Sequence, residues 1–287
     1  MYKHILVSAT GFAADRAVFQ TALLAATPFG AHIEFLHARL DVTEVIVAMS
    51  SGGVGGGDAV QSVVDRLDTD AKAQEQKAWA GFTAFCAAAK LPTSGGAPGS
   101  GLCADMVVET GNEGQWLAEY GRFADLVVVG RKREGEEVAM DVLEAALMDT
   151  GRPLLIAPET PPASLLGVVV IAWKDTIEAA RAVAAAMPLI DRAERVIILT
   201  VGESDDADES GARLQRALRW HSAETTLQVL PCAGRDPVEV LLDAANNLGA
   251  TLLVMGGYSH SQLREAVFGG FTRRVLNGAD LPVLMAH

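Results

Sequence analysis

Two stretches of this chain repeat the same order of short phrases, and that duplication restricts the possible folds more than any other feature. His-Ile-Leu-Val-Ser-Ala-Thr at 4–10 matches Gly-Val-Val-Val-Ile-Ala-Trp at 167–173. Each run passes through a polar turn into an Ala-rich helical pattern, Ala14 to Thr27 and Ile177 to Met187. The next apolar runs, 32–38 and 195–201, keep the same offset of 163. Third strands at 105–110 and 226–230 lead through small-residue turns into amphipathic patterns over 115–123 and 237–248. Two near-identical phrases follow, Ala-Asp-Leu-Val-Val-Val-Gly at 124–130 and Ala-Thr-Leu-Leu-Val-Met-Gly at 250–256. Each copy closes on an apolar strand after a proline, Pro153 or Pro282.

Apolar runs without alternation are strands covered on both faces, and strands that alternate with helices form parallel sheets. With right-handed crossovers, each copy becomes a doubly wound α/β unit. The expected architecture is two tandem five-stranded parallel sheets, in domains 1–158 and 165–287. The Pro-containing stretch Glu159 to Ser164 joins them. The first copy also carries an insertion over 41–102, with a Gly/Ser run at 50–57 and a long helical pattern from Val60 to Ala89. Its stripe of Val60, Val63, Val64, Leu67, Ala71, Trp79, Phe82, Phe85 and Cys86 predicts a buried face. Gly52 to Gly57 lacks the Gly-Lys-Ser/Thr ending of a Walker loop and reads as a connector.

Composition narrows the function. A net charge of −13 opposes sequence-independent nucleic-acid binding, and any phosphate would have to be held by local backbone donors. The longest clean apolar run, Leu165 to Trp173, falls far short of the ~20 residues of a membrane helix. The first residues show no apolar signal core, so a cytoplasmic protein without a membrane partner is expected. Cys86, Cys103 and Cys232 stand apart, as in a reducing compartment. No two histidines lie at i, i+4, so no protein-held metal is expected.

The phrases Val254 to Ser261 and Phe268 to Arg273, with Ile171 to Thr176 before an Ala-rich helix, resemble the universal stress protein family, in particular its tandem-domain bacterial members. That resemblance implies a stress-response binding protein rather than an enzyme. It also implies that the closing strands of the two domains meet edge to edge, with further association into a homodimer and an unidentified protein partner as options. Nucleotide-binding members carry G-x2-G-x9-G-[ST] after the fourth strand, where glycines admit backbone donors to phosphate at a helix start.

In the second copy Gly256 and Gly269 match this pattern, Ser259 stands for a glycine, and Gly270 stands for the hydroxyl residue that Thr272 supplies two positions later. ATP or another adenine nucleotide is therefore the expected ligand of this copy alone. Its candidate residues are Gly256, Gly257, Ser259, Gly269, Gly270, Thr272, Trp173 and Val201. Arg264, Arg273 and Arg274 lie nearby in sequence. Trp173 takes the place of the ribose-binding carboxylate, either stacking on a base or packing structurally. In the first copy Thr10 takes that place, and Met140 and Asp141 replace the glycine pair. Glu134, Glu136 and Glu137, only partly offset by Arg131, Lys132 and Arg133, add repulsion. No nucleotide is expected there. The alternative is a scaffold that binds no nucleotide and acts through protein contacts.

Overall fold

The computed structural model describes residues 1–43, 46, 57–94, 101–131, 140–202, 205–221, 224–257 and 270–287. The first half runs β1 (His4–Ser8), α1 (Asp15–Ala26), β2 (His32–Arg39), α2 (Gly57–Ala89), β3 (Cys103–Thr110), α3 (Glu113–Gly121), β4 (Leu126–Gly130), α4 (Met140–Met148) and β5 (Leu154–Ala157). The second repeats it as β6 (Val168–Ala172), α5 (Ile177–Ile190), β7 (Arg195–Val201), α6 (Asp205–Leu218), β8 (Thr225–Leu230), α7 (Pro237–Asn247), β9 (Leu252–Gly256), α8 (Gly270–Gly278) and β10 (Val283–Ala286).

All ten strands form one sheet in the order β3-β2-β1-β4-β5-β10-β9-β6-β7-β8. Within each half every pair is parallel, and the single antiparallel step joins β5 to β10. This matches the α/β class expected from the unbroken apolar phrases. Val127, Val128, Leu253 and Val254 are all fully buried. One core lies under α1, α2, α5 and α6, and the other under α3, α4, α7 and α8.

Local chemistry sets the helix starts. Asn112, Thr176 and Asp236 cap α3, α5 and α7 by accepting the backbone N–H of Gln115, Ala179 and Val238. α5 runs through Pro188 to Ile190 instead of stopping at Met187, because Leu189 and Ile190 are both core residues. α2 is the long counterpart of α6, since each connects the second strand of its half to the third. Its apolar stripe is buried at only one end. Phe82 and Phe85 pack edge-on against Phe35 and Phe19, with ring centroids 5.3 and 5.4 Å apart. Val63 and Trp79 stay 41% exposed.

The halves also touch outside the β5–β10 join. The Tyr2 hydroxyl donates to the Ala185 carbonyl at 2.7 Å, and the Arg192 guanidinium sits 4.6 Å from the Phe29 ring centre.

Candidate functional site

Sheet register corrects the alignment of the two copies. Ile5 pairs with Leu126 and Val169 pairs with Leu252, so Ile5 corresponds to Val169 at an offset of 164. The second strands keep the offset of 163, because His4 pairs with His32 and Val168 with Arg195. The second copy is one residue shorter between its first two strands. Trp173 therefore corresponds to Ala9, and Lys174 is the residue in the place of Thr10. Backbone bonds agree: Ala9 N–H donates to Leu36 at 2.9 Å and Trp173 N–H to Leu199 at 2.8 Å.

At the carboxyl ends of these strands, the bulky side chain changes strand between copies. The first half places Ala9 beside His37, and the second places Trp173 beside Thr200. His37 is buried, and its Nδ1 lies 2.7 Å from the Ala9 carbonyl. A carbonyl only accepts, so Nδ1 is the donor in this bond. The His37 Nε2 has no hydrogen-bond partner among the described residues. In the second half the buried Trp173 Nε1 and Thr200 Oγ1 also lack partners among the described residues. Both stand on the α5–α6 face, since Trp173 packs with Ile171 and Ile198, and Thr200 lies two residues beyond Ile198. An unsatisfied buried polar group costs about 1–3 kcal/mol. Two adjacent ones therefore favour a bound water or a ligand's polar edge.

Sequence reasoning missed Thr200. The offset of 163, which pairs it with His37, was the signal that could have found it. Val201, a candidate from the sequence, packs on the opposite face with the β9–β10 core, away from the Trp173 side chain.

The glycines divide. A Cβ on Gly256 would lie 2.6 Å from the Ala179 nitrogen at the start of α5. One on Gly257 would lie 2.9 Å from Leu147 of the other half. Close packing accounts for both, so neither requires a phosphate. Gly270 is different: it is the first described residue of α8, is exposed, and a Cβ there would meet none of the described residues within 4 Å. Thr272, two residues further on in the same helix, is buried. Ser259, Gly269 and Arg264 lie outside the described residues, as does the Arg273 side chain. Arg274 is engaged by Asp236, the cap of α7, and donates from Nε to the Gly270 carbonyl at 3.2 Å. Hydrogen bonding from Val238 N–H, followed by Arg274, holds the Asp236 carboxyl below its ordinary range.

In the first half the equivalent edge is occupied. The Gln74 side chain on α2 donates to the Thr10 carbonyl at 2.8 Å. A Cβ on Gly11, whose φ is +78°, would lie 2.7 Å from the Gln74 carbonyl oxygen. Beneath this contact the buried Asp15 carboxylate accepts from Thr10 N–H, Thr10 Oγ1 and Gly11 N–H at 3.0, 2.7 and 2.7 Å. Burial raises its pKa against the pull of those bonds. α4 opens with Met140 and Asp141, placing a carboxylate in the first helical turn. Arg131 does not offset the acidic loop from solvent. It is buried, its Nη2 donates to the Leu281 carbonyl of the other half at 3.2 Å, and burial lowers its pKa to about 10.

Among the described residues, no group of three His, Cys, Asp or Glu side chains could hold a metal ion. No described helix is long and apolar enough to cross a membrane.

Residues 167–287 match the model of the universal stress protein family. A universal stress protein from Archaeoglobus fulgidus DSM 4304 superposes with a TM-score of 0.69 at 14% identity, covering 99% of this chain and 95% of that one. A putative universal stress protein from Pseudomonas aeruginosa UCBPP-PA14 does so with a TM-score of 0.59 at 13% identity, covering 99% and 92%. At such identities the likeness is one of fold, and it extends over both halves. No curated protein matches the chain in sequence.

Proposed function

Residues 167–287 are a domain of the universal stress protein family, and from that premise we propose a cytoplasmic stress-response binding protein, not a catalyst, that takes an adenine nucleotide through its second half alone. The carrying observation is the pair of buried atoms, Trp173 Nε1 and Thr200 Oγ1, that lack a partner among the described residues at the carboxyl ends of adjacent strands. Doubly wound sheets bind ligands at that edge. A purine offers ring acceptors and an exocyclic donor, which complement an indole N–H and a hydroxyl. Gly270, the first described residue of α8, supports a phosphate position, because a helix N-terminus favours an anion and a Cβ there would meet no described side chain within 4 Å. The first half presents α2 over the strand tips and Asp141 at the helix start, which supports confining the ligand to one half.

The scaffold reading draws on Gly256 and Gly257, whose packing needs no ligand. Calorimetric titration with ATP separates the two readings, using wild type, Gly270→Asp and Trp173→Phe. Binding of one ATP per chain, lost in Gly270→Asp and weakened in Trp173→Phe, is the expected result. Absence of heat and of thermal protection at millimolar ATP would leave the scaffold as the function.

A further inference from the structure

The two outer edges of the sheet are finished differently. At β3, the segment 92–94 continues the ladder: Ala104 N–H donates to Pro92 and Ser94 N–H to Ala104, at 2.9 and 3.2 Å. β3 also carries Asp105 and Glu109, and charges discourage edge pairing. At the far end β8 reads Thr-Thr-Leu-Gln-Val-Leu, without a charge, and among the described residues no strand lies beyond it. The Leu230 carbonyl accepts from Gly202 on the β7 side. By alternation, the backbone groups of Thr225, Leu227 and Val229 point outward, and the Thr225 carbonyl accepts from Gln215 Nε2 of α6 at 2.7 Å.

We propose that β8 is the dimer edge of this protein, pairing antiparallel with β8 of a second copy about a two-fold axis at Leu227. Three features of the chain fit a copy of itself. First, the axis sets Thr225 opposite Val229 of the partner subunit, Thr226 opposite Gln228 of the partner subunit, and Leu227 opposite itself, so no like charges meet.

Second, α6 packs on β7 and β8 alike. With strands about 4.8 Å apart, the two copies of α6 would lie roughly 10 Å apart on one face, a normal helix-packing distance. A Cβ on Gly211 would lie 2.7 Å from Leu227, so Gly211 seats α6 on its own sheet at the level of the axis, with Ala212 the next residue along the helix.

Third, the helix is charge-complementary to its own antiparallel image. It begins Asp205, Asp206, Asp208, Glu209 and ends with Arg213, Arg216 and, just beyond it, Arg219. The exposed Glu209 and Arg216 are seven residues apart and lie on one helical face, centred on that same level. Each Glu209, which pairs with Arg213 of its own helix at 3.1 Å, would also face Arg216 of the partner subunit. Trp220, 89% exposed in the turn after α6, adds apolar surface at either end of the contact.

Light scattering over a concentration series tests this with the full chain. Wild type is expected to reach twice the 30.1 kDa chain mass. Val229→Pro removes only an outward N–H, which an edge strand tolerates, and should weaken the dimer by about 100-fold or more. Glu209→Arg and Arg216→Glu should each weaken it, and the double exchange should restore it. If circular dichroism shows that Val229→Pro does not fold, the two single charge variants and their exchange decide alone. A wild type that stays monomeric overturns the proposal, as does a dimer indifferent to all of these changes.

Discussion

The two halves build the same five-stranded frame and spend its carboxyl edge in opposite ways. In the first half a helix of 33 residues lies across the β1–α1 turn, and the polar groups there bond to one another. In the second, the counterpart helix has 14 residues, and two buried polar atoms lack a partner among the described residues. The difference teaches that one duplicated frame can carry two differently built edges over the same kind of core. At the first edge Thr10, Gly11, Asp15 and Gln74 bond to one another while His37 Nε2 lacks a partner among the described residues; at the second, both Trp173 Nε1 and Thr200 Oγ1 lack one.

The comparison breaks most visibly at the fourth-strand glycines. Gly256→Ala should cost about 2–3 kcal/mol in urea unfolding, because its Cβ would collide with the backbone of α5. Gly130→Ala meets only the tip of Val18 and should cost less than about 1 kcal/mol. Equal costs would mean that the halves do not pack their first helices differently.

A second test exchanges the bulky residue. Trp173→Ala should cost about 2 kcal/mol or more, less than a fully buried tryptophan because the side chain is half-buried. Adding Thr200→His rebuilds the Ala9–His37 arrangement and should recover part of that loss. Strict additivity in the double-mutant cycle would show that the two sites do not touch.

The smallest effect lies at the amino ends of the strands. His4 approaches Glu34 at 3.2 Å, and this contact, opposed by burial, raises its pKa. The register places Val168 and Ile197 at those positions in the second half. A raised histidine pKa adds stability that is complete below the ordinary value and lost as pH rises through the raised one. Melting temperature should therefore fall across that window in wild type and stay flatter in His4→Val. Partial exposure limits the effect to less than about 1 kcal/mol. An unchanged slope in His4→Val would place the titration elsewhere.

Much of the frame was legible in the sequence because unbroken runs such as Leu126 to Val129 permit little except a strand covered on both faces. The turn between first strand and first helix was less legible. It is one residue shorter in the second copy, so matching Thr10 with Trp173 by phrase missed the register that backbone pairing fixes. Candidate-site glycines were readable as a pattern but not as a cause, since Gly256 is explained by a helix far away in sequence. The polar pair Trp173–Thr200 depends on cross-strand neighbours, which a linear motif does not display. α2 shows a further limit: its period announces an apolar face, but not that only one end finds a core.

The lone antiparallel step between β5 and β10 gives the molecule two fronts and no back. Strands in the two halves point in opposite directions, so the edge beneath α2 and the edge at Trp173 open toward opposite poles. A partner that reads the second pole cannot at the same time touch the first. Any message between them has to cross the seam of the two halves, through the β5–β10 hydrogen bonds or the side chains that flank them, such as Tyr2 and Arg131.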